Sequence, residues 1–465
     1  MKIIIIGAGI SGLSTYLHLR KHLSASHTIT LHESHRPRST LPTTSSSSST
    51  NPTLTLDTLS ASTALVGGGL GISPNGMRVL RDLDVALHDA VAAQGFPAER
   101  FVFKGANGWA LGKQWTGDGK VRGEGEVEEV CISSARHGLW EMLMKRVVEE
   151  GGVVRYAKVV GAERDEERGQ TVVRVEDGEG GEEVDRADLV IGADGVRSVV
   201  RKALFGEEEK EYQPKYTGQS GVGGFLKTPI PTPLTEDKSM VFTFGGNGFF
   251  GYASSAPASE ESLMWWSTFE TDALPATKNI DITEIKQQLV QRHKHWKDPI
   301  IQDIIKRAEV QSIYPTWTIG ELPYWGENGI VLIGDAAHAM DPTTGQGASQ
   351  ALEDSQTLAL LLAECLKRGE QGQLDGKQAI ALTLKLFYQI RNPRVQEIVE
   401  RGKKISGSKT NVGVVMEYTM YLFLWLLIKF PSIGLMMLGD VNRKLYTWSA
   451  EEEIRKALHK WDTAT

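Results

Sequence analysis

Cysteine is nearly missing: Cys131 and Cys365 are the two in 465 residues. Two thiols cannot build a disulfide framework or a cysteine-based zinc or iron–sulfur centre, so no metal site is expected; the scarcity suits a reducing, intracellular compartment. An excess of positive charge is missing as well. Lys and Arg number 51 against 58 Asp and Glu, a net charge of −7, which offers a nucleic acid nothing by bulk attraction. The N-terminus lacks a long apolar run. Ile3–Ile6 gives way to Gly7-Ala8-Gly9 after four residues, whereas a secretion signal needs about 7–15. A buried first strand is expected instead. The remaining composition, 40% apolar and 23% charged, is ordinary for a soluble enzyme. The length predicts two or three folding units with cores that need no staples.

Along the chain, the β-branched run 2–6, a helical spacing of Ile10, Leu13 and Leu17, and a second strand Thr28–Glu33 read as a βαβ opening. Residues 39–63 break the pattern, with Ser and Thr at 16 of 25 positions; a flexible surface insertion over 34–64 is expected. A helix follows Ser73-Pro74-Asn75, another spans 137–150, and Ala187–Ile191 and Ile330–Ile333 read as short buried strands. Residues 212–325 read as strands with a helical insert near 283–308. They hold the aromatics Phe242, Phe244, Phe249, Phe250, Tyr252, Trp265, Trp266 and Phe269. Such residues are usually core, and a pocket for a flat apolar ligand is the alternative.

Three motifs carry chemistry. Gly7-Ala8-Gly9-Ile10-Ser11-Gly12 lies between strand and helix. Gly7 permits the tight turn, Gly9 lets the backbone approach a pyrophosphate, and Gly12 lets helix and strand pack closely. The helix N-terminus offers N–H groups and partial positive charge. Glu33, 21 residues after Gly12 and ending the next strand, can accept hydrogen bonds from ribose hydroxyls. A second GxGxxG, Gly246–Gly251, has no helix after it and reads as a hairpin turn. The other two motifs are Gly192-Ala193-Asp194-Gly195-Val196-Arg197-Ser198 and Gly334-Asp335-Ala336-Ala337-His338, the latter running through Gly345-Gln346-Gly347-Ala348 into a helix.

Together these motifs resemble the single-component (group A) FAD-dependent monooxygenases with the para-hydroxybenzoate hydroxylase fold, salicylate-hydroxylase-like fungal enzymes in particular. The resemblance covers residues 1–400 apart from the insertion. It implies an α/β fold: a Rossmann-like FAD-binding domain, an inserted, mostly antiparallel β-sheet substrate domain and a C-terminal helical region. The FAD-binding domain is expected over 1–80, 130–203 and 326–365, the substrate domain over 81–129 and 204–325, and the helical region over 366–465.

The same resemblance gives residues their roles. Asp335 would hold ribityl hydroxyls, and the helix opening at Gly347 and Ala348 would face the flavin edge where negative charge gathers on reduction. Asp194 belongs to a motif touching both FAD and NAD(P)H, with a helix cap as the alternative. Arg136 matches a flavin-contacting arginine, and Gly69 falls where a loop passes the flavin, although Gly67-Gly68-Gly69 departs from the family's pattern. Arg201 and Tyr216 lie where related fungal enzymes carry an Arg/Tyr pair orienting the substrate; a surface salt bridge and a core tyrosine are the alternatives. His338 is expected to be a packed structural histidine rather than a base.

The implied reaction is oxidoreduction: NAD(P)H (NADH or NADPH) reduces FAD, and one atom of O2 is inserted through a flavin C4a-hydroperoxide into an aromatic or polyketide-like molecule of secondary metabolism. An epoxidase of a lipophilic terpenoid-type substrate and a flavin-binding scaffold without turnover are the alternatives. The halogenase signature Trp-x-Trp-x-Ile-Pro is absent. Between Glu417 and Lys429 lie 11 residues without charge, nearly all apolar, and Pro431 interrupts the pattern. A span needs about 20. Burial on the protein and peripheral membrane contact through 418–438 both stay open.

Overall fold

The computed structural model describes residues 1–35, 68–119, 128–176, 181–271, 281–406, 412–438 and 440–463. The Ser/Thr-rich stretch 39–63 and Gly67 lie outside the described residues.

The chain opens with β1 (Lys2–Ile6), α1 (Ile10–His22) and β2 (Thr28–Glu33). β3 (Gly69–Ile72), α2 (Pro74–Leu83), α3 (Val85–Gln94), β4 (Phe96–Ala98), β5 (Arg100–Gly105), β6 (Ala110–Trp115), β7 (Cys131–Ala135) and α4 (Arg136–Glu149) follow. Next come β8 (Val154–Tyr156), β9 (Lys158–Asp165), β10 (Gln170–Glu176), β11 (Glu182–Ala187), β12 (Leu189–Gly192) and α5 (Val199–Phe205). A long sheet region holds β13 (Lys215–Lys227), β14 (Ser239–Gly245), β15 (Gly248–Ser254), β16 (Ser262–Glu270), α6 (Ile282–His293), α7 (Pro299–Arg307) and β17 (Ser312–Thr318). β18 (Gly326–Glu327) and β19 (Ile330–Leu332) return to the first unit. The helices α8 (Gly347–Glu370), α9 (Gly376–Ser406), α10 (Val414–Lys429), α11 (Pro431–Leu438) and α12 (Ala450–Asp462) complete the fold.

Ile3, Ile4, Ile5 and Ile6 are buried because β1 is a central strand, paired in parallel with β2 on one edge and β12 on the other. A strand covered on both faces must be apolar throughout. The six-stranded sheet runs β18-β19-β12-β1-β2-β8, so the chain order switches beside β1. That switch point opens a crevice at the carboxyl ends of the strands, where α/β sheets bind ligands. A three-stranded β11-β10-β9 sheet and a small β3-β7-β4 sheet flank it. Helix α1 is buried from Gly12 to Leu19 and is fastened to α8 by Thr15 Oγ1 donating to Ser355 Oγ at 2.9 Å.

The second unit is a seven-stranded sheet, β17-β13-β16-β15-β14-β5-β6, antiparallel except for the parallel pair β5–β14. Gly246 and Asn247 turn β14 into β15 as a hairpin, as the missing helix after that second glycine motif implies. One face of this sheet buries Val222, Val241, Phe250, Tyr252, Trp265 and Ile313 against α6 and α7. The other face looks toward the first unit. Leu83, Leu87 and Val91 share the core of the six-stranded sheet, although residues 81–94 fall inside the stretch proposed for the substrate domain. Side-chain packing therefore draws the boundary nearer to β4.

Candidate active site

The β1–α1 turn is shaped by two glycines for separate reasons. Gly7 has φ +102°, and a Cβ there would come 2.4 Å from the Ala193 carbonyl oxygen. A Cβ on Gly12 would lie 1.8 Å from the Gly7 oxygen. Backbone cannot yield to either contact, so both positions exclude a side chain. Gly7 N–H donates to the His32 carbonyl (2.8 Å), Ala193 N–H donates to Ile6 (2.8 Å), and Trp140 Nε1–H donates to the Ala8 carbonyl (2.8 Å). The turn is thus braced by β2, β12 and α4. A Cβ on Gly9 would meet nothing within 4 Å, because that position faces an open cleft.

The cleft has a volume of about 2030 Å³, and Gly7, Gly9, Glu33 and Gly69 line one end of it. Glu33 Oε2 accepts the Ala8 N–H at 2.8 Å and Oε1 accepts the His35 N–H at 3.0 Å. Ser34 Oγ also donates to Oε1 at 3.2 Å; with about two acceptor sites on each carboxylate oxygen, Oε2 retains capacity for a hydroxyl. β3 and β7 bring Gly69 opposite Ala135, and Arg136 N–H donates to the Gly68 carbonyl at 3.1 Å. Arg136 lines the same cleft. So do Asp194, Asp335, Gly347 and Ala348. Gly12 is set behind the turn, where it packs helix against strand.

Asp194 combines both readings offered by its motif. Its Oδ2 accepts the N–H groups of Val199 (2.7 Å) and Val200 (3.2 Å), capping α5. Its Oδ1 is buried without a hydrogen-bond partner among the described residues. Burial holds this carboxyl above the usual carboxylate range despite those donors. Asp335 follows Gly334, whose φ is +57°, and is exposed to the cleft. The N-terminus of α8 has no acidic residue in its first turn and no side-chain cap, which leaves its N–H groups and positive dipole end facing the cleft.

The substrate-orienting pair is not brought to this cleft. Arg201 is buried, with Nη1 donating to the Ala336 carbonyl (3.1 Å) and Nη2 to the Val196 carbonyl (2.8 Å). It stitches the Asp194 turn to the Asp335 turn, and burial lowers its pKa from the ordinary guanidinium value. Tyr216 shares a 3.0 Å hydrogen bond with Ser220 and tilts against Trp317, and its side chain is not on the cleft wall. Neither matches the alternative offered for it: Arg201 is buried on α5 against backbone carbonyls rather than in a surface salt bridge, and Tyr216 is half-buried on β13 rather than in the core.

Two features escaped the motif reading. The first is a buried ionic network behind the cleft. Asp354 Oδ2 accepts from Gly334 N–H (2.8 Å) and pairs with His338 Nε2 (2.6 Å), while Oδ1 accepts from Arg391 Nε (2.8 Å). Glu353 takes Arg391 Nη1 (2.6 Å), both forks of Arg394 (2.6 and 2.7 Å) and Asn75 Nδ2 (2.6 Å). Asn75 Nδ2 and Ser73 Oγ in turn bond the Gln346 side chain. His338 is therefore a packed structural histidine, seated against Trp325. Burial alone would raise both carboxyls. The guanidiniums, with His338 beside Asp354, outweigh it and hold them below the ordinary range. Adjacent acids on the inner side of one helix, with Arg391 and Arg394 one turn apart on the next, were the available signal.

The second feature is an aromatic wall. Cross-strand partners run Gly112, Phe103, Phe242, Gly251, Trp266 and Gly223 across six neighbouring strands. Side chains in one such row share a face. Phe242 is its hub, 5.8 Å from the Phe103 ring and 6.0 Å from the Trp266 ring. The Trp266 ring covers Gly251, where a Cβ would come within 2.2 Å of it. The cleft is continuous from the glycine turn to this wall.

The donor set fits FAD. Open cleft lies over Gly9 and the α1 N-terminus, carboxylates stand at the end of β2 and just after β19 for hydroxyls, and a second helix N-terminus faces the same cleft. Comparisons with known proteins agree. A family model described as FAD binding domain matches residues 1–383. An aurachin C monooxygenase/isomerase of Stigmatella aurantiaca is 31% identical over 303 residues, covering 65% of this chain and 71% of that protein. A chloroplastic zeaxanthin epoxidase of Nicotiana plumbaginifolia is 31% identical over 237 residues. That match covers 49% of this chain and 32% of the epoxidase, so the chain spans about a third of that relative. The crystal structure of CtdE in complex with FAD and substrate 4 has a similar fold, with a TM-score of 0.69 at 18% identity over 99% of this chain and 98% of that one. The chain belongs to the FAD binding domain family of FAD-dependent monooxygenases.

Proposed function

We propose that this flavoprotein uses NAD(P)H and O2 to insert one oxygen atom into an aromatic or polyketide-like small molecule. The observation that carries the reading is the continuity of the cleft, which joins the glycine turn at β1 to the aromatic face around Phe242 and Trp266. The chemistry that FAD supplies when bound is hydride acceptance and activation of O2. The chain's own part is positioning. Gly9 and α1 receive the pyrophosphate, Glu33 and Asp335 accept hydroxyls, and Gly69 and Arg136 bound the ring region. Gly347 and Ala348 at the α8 N-terminus stabilise negative charge. Phe103, Phe242 and Trp266 exclude water from the reacting face.

The deciding experiment is anaerobic mixing of the FAD-loaded protein with NADH or NADPH, with and without candidate aromatic metabolites. Loss of the visible flavin absorbance, followed under 18O2 by one labelled oxygen in the product, is expected. A flavin that never bleaches leaves only a scaffold that binds FAD. Epoxidation of a lipophilic terpenoid-type substrate is the second reading, favoured by the apolar character of the sheet wall; the position of the oxygen by NMR separates the two. We further propose peripheral membrane contact through α10 and α11. Val415, Met416, Leu422, Trp425 and Met436 are exposed there, and no helix among the described residues is long and apolar enough to cross a membrane.

A further inference from the structure

Helix α10 is seated on the substrate sheet by two glycine notches. A Cβ on Gly105 would come 2.9 Å from the Tyr421 ring, and one on Gly112 would come 2.3 Å from Ile428 Cγ2. Tyr421 is fully buried in one cluster with Leu111, Phe244 and Phe249. Its hydroxyl accepts the Ala106 N–H at 3.0 Å and has two acceptors for its one proton, the Phe244 carbonyl at 2.6 Å and the Glu417 carboxylate one turn back on α10. With that anchor in place, Leu424, Leu427 and Ile428 border the cleft, while Leu422 on the outer face is 55% exposed. The helix therefore presents one apolar side to the cleft and another to solvent.

The lobe between α10 and the sheet is poor in charge. Among the described residues of the seven-stranded sheet that line the cleft, Lys113 is the one cation, and its ammonium is held 2.6 Å from Asp237. An anionic ligand entering there loses its hydration without gaining a counter-ion, which is costly. A flat neutral ligand gains ring stacking and apolar burial.

We propose that α10 is the selectivity wall of the substrate lobe and that the lobe takes an uncharged, flat, lipophilic molecule, with Leu427 among the residues that set this preference. The inference rests on the monooxygenase reading for calling the lobe a substrate site. Its test does not use turnover. The full-length, FAD-loaded protein is titrated with 1-pyrenemethanol and with 1-pyrenecarboxylate, following energy transfer from tryptophan to pyrene. The neutral probe is expected to bind at least about tenfold more tightly, a difference of about 1.4 kcal/mol.

Leu427→Lys supplies the missing counter-ion. It should raise carboxylate affinity by about tenfold and weaken alcohol binding by about tenfold, whereas Leu422→Lys on the outer face should change neither. Retained flavin absorbance reports that both variants are folded. Equal affinities for the two probes, no binding of either, or an unchanged preference in Leu427→Lys each overturns the proposal. Flavin bleaching by NAD(P)H in a protein without the probe preference sinks this inference alone. Probe preference without bleaching sinks the monooxygenase reading and leaves the lobe's selectivity standing.

Discussion

Arg391 and Asp354 meet at 2.8 Å, nitrogen to oxygen, with both side chains fully buried. Through Asp354 the contact reaches Gly334 and His338, and through Glu353 and Asn75 it reaches Gln346. These are the segments that carry Asp335 and the α8 N-terminus. Breaking a buried pair by removing one partner leaves a charge uncompensated, at a cost of about 3–5 kcal/mol. Arg391→Met should therefore lower the unfolding midpoint in urea by that equivalent and weaken FAD binding. A variant with wild-type stability and flavin content would show that the network carries neither.

The same network gives a dependence on pH. Glu353 and Asp354 titrate below their ordinary values in the folded chain. Their contribution is thus fully present above the unfolded carboxylate range of about 4 and is lost as pH falls through the depressed values. Asp354→Asn should be markedly less stable than wild type at pH 7, with the gap closing as pH drops below about 4. Melting temperatures of both proteins between these limits check the sign. A gap that widens in acid contradicts it.

Gly9 and Gly12 should respond differently to one methyl group. Gly9→Ala meets open space, so the apoprotein should melt as wild type does while FAD affinity falls at least about tenfold, about 1.4 kcal/mol. Gly12→Ala drives a carbon against the Gly7 carbonyl oxygen and should destabilise the apoprotein itself by about 1–3 kcal/mol. Flavin fluorescence titration and apoprotein melting separate the two effects.

Cys131 is buried beside Met240 and Met264, and burial pushes its thiol up to about 12. The thiolate is the reactive form, so the native protein should take up iodoacetamide at this position at pH 8 far more slowly than the urea-unfolded chain. Peptide mass mapping reads the difference. Equal labelling rates would mean that the contact between the small sheet and the seven-stranded sheet opens readily.

Membrane contact has its own measurement. Phosphatidylcholine vesicles should carry the wild-type protein upward in a density gradient, and the paired change Leu422→Glu and Trp425→Glu on the outer face of α10 should abolish that. A wild-type protein that stays at the bottom of the gradient excludes this contact.

Local chain reversals were legible in the sequence because their causes are local. The glycines of 7–12, the acid at 33 and the Gly-Asp turn at 334–335 each carry their own steric or hydrogen-bonding reason. The hairpin at Gly246 could be told from a nucleotide turn for the same cause. Arg201 and Tyr216 do not line the cleft; a role there depends on side-chain direction across a tertiary gap, which spacing along the chain does not encode. The aromatic strands were ambiguous in principle. With period two, Trp265 and Trp266 go to opposite faces, one into the core on α6 and α7 and the other onto the cleft wall, and either assignment suits the composition. The ionic network joins residues 38 positions apart, such as Glu353 and Arg391, so no local window contains both halves.

The guanidiniums of Arg391 and Arg394 lie 4.8 and 4.7 Å from the centre of the Trp448 ring, and Arg394 also donates to the Leu445 carbonyl at 2.8 Å. The charged cluster behind the nucleotide cradle is thereby roofed by a segment that lies more than fifty residues further along the chain than its arginines. Removing the segment that carries Leu445 and Trp448 would leave Glu353, Asp354, Arg391 and Arg394 paired with one another but opened on that side to water and to screening by salt.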